Sequence, residues 1–107
     1  TAFYARKSYI DKNQDIIKAF NNAINKGIKF VNDNTDKRVA EVIYKQFADL
    51  SLNDIETIVR RYRNADSWLT NTTISLESYK NLEDIMIKNS LLDDYIDFNE
   101  LVINLNE

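Results

Sequence analysis

No cysteine, no histidine and no proline occur in this 107-residue chain, and glycine occurs once. The missing cysteines exclude disulfides, thiolate zinc sites and cysteine nucleophiles. The missing histidines remove the commonest general base and the commonest transition-metal ligand, which leaves carboxylates, lysine and tyrosine for any chemistry. With no proline and only Gly27, helix boundaries must rest on caps and polar interruptions rather than on breakers. No apolar run approaches the roughly 18 residues that a membrane-crossing helix requires. No signal-peptide pattern opens the sequence, and its β-like start, TAFYARK, predicts a segment cut from something longer. Basic charge is short as well: the formal net charge is −3, which argues against the basic face that non-specific nucleic-acid binding needs.

What is present is ordinary for a folded chain. Hydrophobic residues make up 44% and charged residues 29%, which places the sequence among globular rather than disordered chains. A chain of this size buries roughly two-thirds of its unfolded surface. Residues 1–107 therefore predict one domain, or a fragment of one.

The longest clean helical period runs over Asn13–Val31. Ile17, Phe20, Ile24, Ile28 and Val31 step by three or four, and Ile16 and Ala23 widen the same face. That spacing lays an apolar stripe about 100° wide along one side of a helix. Asn13 is placed to cap it and Asp15 suits its dipole. Gly27 lies inside this helix at a cost of about 1 kcal/mol against alanine, which predicts close packing by a neighbouring backbone.

Before that helix, Thr1–Lys7 is the only β-prone stretch, with Phe3 beside Tyr4, and Ser8–Lys12 turns the chain. A single strand cannot satisfy its own donors and acceptors. An Ala2–Arg6 strand with two free edges predicts either a disordered start or antiparallel pairing between two copies. After the helix, Thr35 caps a second, Asp36–Phe47, with Val39, Ala40, Ile43 and Phe47 inward. Ser51 and Asp54 form a capping box for a third, with Leu52, Ile55, Ile58, Val59 and Tyr62 buried. Asn64–Asn71 is a connector carrying Trp68. Ser75 caps a fourth, with Leu76, Tyr79, Leu82, Ile85 and Met86 inward, and Leu91–Glu107 reads as a loop with a short helix at Asn99–Val102. The predicted fold class is mainly α, four to five helices plus one N-terminal strand. Its core holds Phe20, Ile24, Ile43, Phe47, Ile55, Val59, Leu82 and Met86.

Four groups could carry a site. Arg60, Arg61 and Arg63 around Tyr62 could meet an anion, although a cationic last turn of a helix accounts for them. Asp93, Asp94, Asp97, Asn99 and Glu100 crowd oxygen atoms, but without the glycine and alternate spacing of a calcium loop. Asp66 and Trp68 could touch a ligand, against the simpler role of an anchored connector. Asn71-Thr72-Thr73 matches a glycosylation sequon. No phosphate loop, nucleophile elbow or metal motif occurs, so the sequence predicts no enzyme, no metal, no cofactor and no catalytic residue.

The segments TAFYARKSYIDKNQDIIKAFNNAINKGIKFV, DKRVAEVIYKQF, IVRRYRNADSWLTN, SYKNLEDIMIKNSLL and DFNELVIN, in that order, resemble the C-terminal portion of solute-binding proteins of ABC importers. The branch is the nitrate, sulfonate and taurine group, which includes binders of a thiamine-precursor pyrimidine. Family members often carry proline where this chain has Gln14 and Asp97. The resemblance implies a piece of a two-lobed α/β fold of the periplasmic-binding-protein type II class, with the Thr1–Lys7 strand joining a sheet. It implies a small-molecule solute and a membrane permease as partners, and an extracytoplasmic place, periplasmic or lipid-anchored. It carries over no ligand-contacting residue, because most of the cleft would lie upstream. The alternative from the residues alone is a free-standing helical protein-interaction domain without catalytic activity.

Overall fold

The computed structural model describes residues 2–105; Thr1, where the predicted strand begins, and Asn106 and Glu107, where the last predicted stretch ends, lie outside them. Six α-helices follow one another: α1 Lys7–Lys12, α2 Gln14–Asp33, α3 Asp36–Ile43, α4 Leu52–Asn64, α5 Leu76–Lys88 and α6 Phe98–Leu101, with a 3₁₀ turn at Tyr44–Gln46 after α3. Contacts divide the chain into two compact units, Thr1–Asn71 and Thr72–Glu107.

Among the described residues there is no strand and no sheet. This overturns the predicted N-terminal strand and, with it, the expectation of a piece of a two-lobed α/β fold. The physical reason is the one that made the strand doubtful: Ala2–Arg6 has no second strand to pair with. Its Phe3 ring instead meets Phe20 edge-on at 4.9 Å, while Tyr4 is left almost wholly in solvent. From Lys7 the backbone turns helical, Tyr9 and Ile10 donating to the Arg6 carbonyl at 2.9 and 3.1 Å. The expected turn over Ser8–Lys12 is thus a short helix, and self-association through an Ala2–Arg6 strand loses its basis.

In the first unit, α3 packs on α4. The fully buried side chains are Val39 and Ala40 from α3 and Ile55 and Val59 from α4. Phe30, Val31, Ile43, Tyr44, Leu52, Ile58 and Trp68 close around them. The caps behave largely as their sequences dictate. Thr35 Oγ1 accepts from the Arg38 amide at 3.2 Å. The Ser51–Asp54 capping box is complete, each side chain accepting from the other's backbone N–H at 3.1 Å. Asn13 departs from expectation: its side chain caps nothing at the start of α2 and donates back to the Tyr9 carbonyl at 2.8 Å, closing α1 instead.

Three of the eight predicted core residues lie on the surface: Phe20, Phe47 and Leu82 are 46%, 47% and 55% exposed. Two causes operate. The stripe of α2 meets the core at its C-terminal end, through Phe30 and Val31, and Phe20, met edge-on by Phe3, stays half-exposed. The α3 helix stops at Ile43 and tightens into the 3₁₀ turn, which throws Phe47 out of phase. Gly27 also departs from expectation, since a Cβ added there would meet nothing within 4 Å. No close backbone explains it.

Among the described residues of the second unit one is buried, and it is Glu83. The inward face of α5 is Tyr79, Glu83, Met86 and Ile87, so the predicted set Leu76, Tyr79, Leu82, Ile85 and Met86 was rotated by about one position. Polar ties do much of the holding. Asn104 uses its amide group as a neighbouring strand would, accepting from the Ile74 N–H and donating to the Ile74 carbonyl, both at 3.0 Å.

Candidate functional site

The basic cluster proves to be internal wiring. Arg63, on the last turn of α4, places Nε 2.7 Å from Asp36 Oδ1 and Nη2 3.0 and 2.9 Å from the carbonyls of Val31 and Asn34. Those carbonyls belong to the end of α2, where backbone acceptors lack intrahelical partners and carry the negative end of the dipole. The guanidinium also lies over the Trp68 ring, 5.4 Å from its centroid, and Tyr62 meets the same ring edge-on at 6.3 Å. Arg60 pairs with Glu56 at 3.1 Å and Asp36 at 3.5 Å. Only Arg61 of the three remains exposed without such a tie. Trp68 therefore acts as the anchor of the connector, packed on the core. Asp66 serves through its backbone, left-handed at φ 53°, where α4 ends.

The acidic stretch is likewise a set of local turns. Asp94 Oδ1 accepts from the Tyr95 amide and Asp97 Oδ1 from the Asn99 amide, both at 2.8 Å; the latter caps α6. Asp93, Asp94, Asp97, Asn99 and Glu100 are all exposed, and the described residues hold no group of acidic side chains placed for a metal ion. Asn71, in the sequon, is exposed.

What sequence reasoning missed lies in the second unit. An open groove of about 860 Å³ runs between α5 and the chain leading into α6. Tyr79, Tyr95 and Phe98 give it aromatic walls, Tyr79 and Phe98 meeting edge-on at 5.3 Å. Glu83, Asp84 and Asp97 face it against the single cation Lys80. Glu83 Oε1 accepts from the Ile96 N–H at 2.8 Å, and Tyr79 Oη donates to the Ile96 carbonyl at 3.0 Å. Tyr95 Oη donates to Asp84 Oδ1 at 2.6 Å.

Both phenols hold their protons more tightly than usual. Loss of solvation, then hydrogen bonding to and repulsion by Glu83, raises the Tyr79 pKa above 10.0. The hydrogen bond to Asp84, then its charge, does the same for Tyr95. A neutral phenol donates where a phenolate would repel the adjacent carboxylate. One sequence signal pointed here: Tyr79, Glu83 and Met86 step at helical spacing, so a carboxylate shares the buried face of α5.

No protein-family profile matches the chain, and no solved structure matches it. A protein of Bacillus subtilis (strain 168) named "Putative binding protein YtlA" is 31% identical to it over 102 residues. The chain is related to a binding protein. The alignment takes in 95% of this chain but 30% of YtlA, so the chain spans less than a third of its relative's length. Nearly all of both units lies within the aligned stretch.

Proposed function

We propose that this chain is the C-terminal part of the solute-binding component of an ABC importer, of the group that handles nitrate, sulfonates, taurine or a thiamine-precursor pyrimidine. It works outside the cytoplasm, periplasmic or lipid-anchored, passes solute to a membrane permease and has no catalytic role. The observation that carries this reading is the relation to YtlA along 95% of the chain. The ordered succession of segments from TAFYARK to DFNELVIN supports the importer assignment. The surface agrees with a role within a larger polypeptide: among the described residues eighteen large hydrophobic side chains stand exposed. In this proposal the solute pocket is built mostly by polypeptide outside these residues.

Disruption of the gene in its source cells, followed by uptake of labelled nitrate, taurine, an alkylsulfonate and the pyrimidine, tests the reading. Loss of uptake of one solute, restored by the intact gene, is expected. Unchanged uptake of all four, or recovery of the protein from the cytoplasm, would overturn it. The same exposed side chains, Ile16 and Phe20 on α2 and Leu82 and Ile85 on α5, favour a second reading, a helical protein-interaction domain. That reading requires a protein partner captured by the chain while uptake stays normal.

A further inference from the structure

The groove of the second unit has a composition that the importer assignment does not use. Its floor holds Glu83, only 5% exposed, and no cation pairs with this carboxylate among the described residues. A carboxylate taken out of water without a counter-ion is costly unless charge or hydrogen bonds compensate it. The Ile96 amide supplies one hydrogen bond and the Tyr79 hydroxyl interacts with the same carboxylate, but neither brings a positive charge. Asp84 adds a second negative charge at the rim, and Tyr79, Tyr95 and Phe98 turn aromatic surface toward the same space.

The geometry points to a binding site for a small organic cation of the quaternary ammonium class. Three properties select that chemistry. The lining carries three carboxylates against one lysine, which disfavours anions. The described residues hold no group of acidic side chains placed to converge on a metal ion, as a hard cation with several oxygen ligands would need. Aromatic faces attract a soft, weakly hydrated cation through their quadrupoles, and a quaternary ammonium needs no acceptor. The space of about 860 Å³ lies within the ~300–1,000 Å³ range of small-molecule pockets. The site is independent of the importer reading and stands or falls without it.

Amide NMR titration of the 107-residue chain tests it, with choline chloride, with choline's uncharged isostere in which a tert-butyl group replaces the trimethylammonium, and with calcium chloride. Choline is expected to shift amides around Ile96 and Asn99 and to bind about five- to tenfold tighter than the isostere, the discrimination that a cation–π contact with partial desolvation supplies. Glu83→Gln removes the buried charge and is expected to abolish that discrimination. Since Glu83 is buried, Asp84→Asn at the exposed rim provides the second variant, with choline binding about threefold weaker at unchanged melting temperature, as loss of a partly screened charge requires. No shifts with choline, equal binding of the isostere, tighter binding of calcium, shifts confined to residues 2–71, or unaltered binding by both variants would each overturn the site.

Discussion

Asp66 and Ser90 end α4 and α5 with the backbone in the left-handed region, φ 53° and 56°. Both helices close in the same pattern. Ser67 donates to the Tyr62 carbonyl and Asp66 to that of Arg63; Leu91 donates to the Met86 carbonyl and Ser90 to that of Ile87. This is the paired-bond C-terminal motif that glycine normally serves, built here without glycine. A side chain in the left-handed region costs about 1–2 kcal/mol, so Ser90→Gly is expected to raise stability by roughly 0.5–1 kcal/mol, net of the added entropy of the unfolded chain. Gly27 presents the reverse case. It sits within α2 with open space around its missing Cβ, so Gly27→Ala is expected to stabilise by about 1 kcal/mol. Thermal melts followed by circular dichroism check both; destabilisation by either would show that the local backbone is misread. Asp54 supplies a pH dependence. The Ser51 hydroxyl and then the Ser51 backbone N–H hold its pKa below 3.8, so the folded pKa is depressed relative to the unfolded one. Its contribution is present above pH 3.8 and is lost as pH falls through the lower folded value. The Asp54 carboxyl is expected to titrate below 3.8 by NMR, and Asp54→Asn to flatten the acid limb of the stability curve.

At the scale of elements, Arg63 joins three of them. Its guanidinium ties the end of α2 and the start of α3 to α4 while lying over Trp68. Replacement by methionine would leave the part-buried carbonyls of Val31 and Asn34 without their donor and Asp36 with Arg60 alone. The expected loss is about 2–3 kcal/mol, the scale of hydrogen bonds to a charged group. Lysine should recover less than half, because one ammonium cannot span three acceptors in a planar fork. Denaturant midpoints measure the loss, and the emission of the only tryptophan reports whether the connector detaches. An Arg63→Lys variant as stable as the original would show that charge alone matters. Much of this level was legible beforehand. Thr35, Ser51 and Ser75 announce three helices through cap chemistry that is local, and all three caps formed. Ile55 and Val59 of the predicted core are buried, and Val39 and Ala40, read as inward on their helix but left out of that core, are buried beside them. What local chemistry could not reveal was which part of a long stripe would find a partner. Phe20 and Leu82 sit on well-formed apolar faces, yet burial depends on another element arriving. Phe3 and Tyr4 have the β propensity of a strand, but a strand requires a second one. The groove was hidden for a related reason: Tyr95 lies in a loop and Phe98 opens the four-residue α6, a stretch too short for periodicity, and only the fold sets them beside Tyr79 and Glu83.

For the whole molecule, the decisive contrast is between a surface that invites contact and a chain that lacks a place for the solutes proposed. Among the described residues the eighteen exposed large hydrophobic side chains include Phe20 and Ile16 on α2 and Leu76, Leu82 and Ile85 on α5. Covering such faces stabilises by about 25 cal/mol per Å² of apolar area removed from water. Nitrate, a sulfonate or the sulfonate end of taurine requires a preorganised cluster of donors with net positive charge. The guanidiniums of Arg60 and Arg63 are held by Glu56, Asp36 and the carbonyls of α2. The groove of the second unit is lined with carboxylates, and the chain's net charge of −3 repels anions further. The isolated 107-residue chain is therefore expected to bind none of the four solutes with micromolar affinity, with isothermal titration calorimetry as the measurement. The same titration with the full-length protein should yield heat for one of them if the importer assignment holds. Micromolar binding by the 107 residues alone would place a complete solute site within these two units and remove the need for a pocket elsewhere.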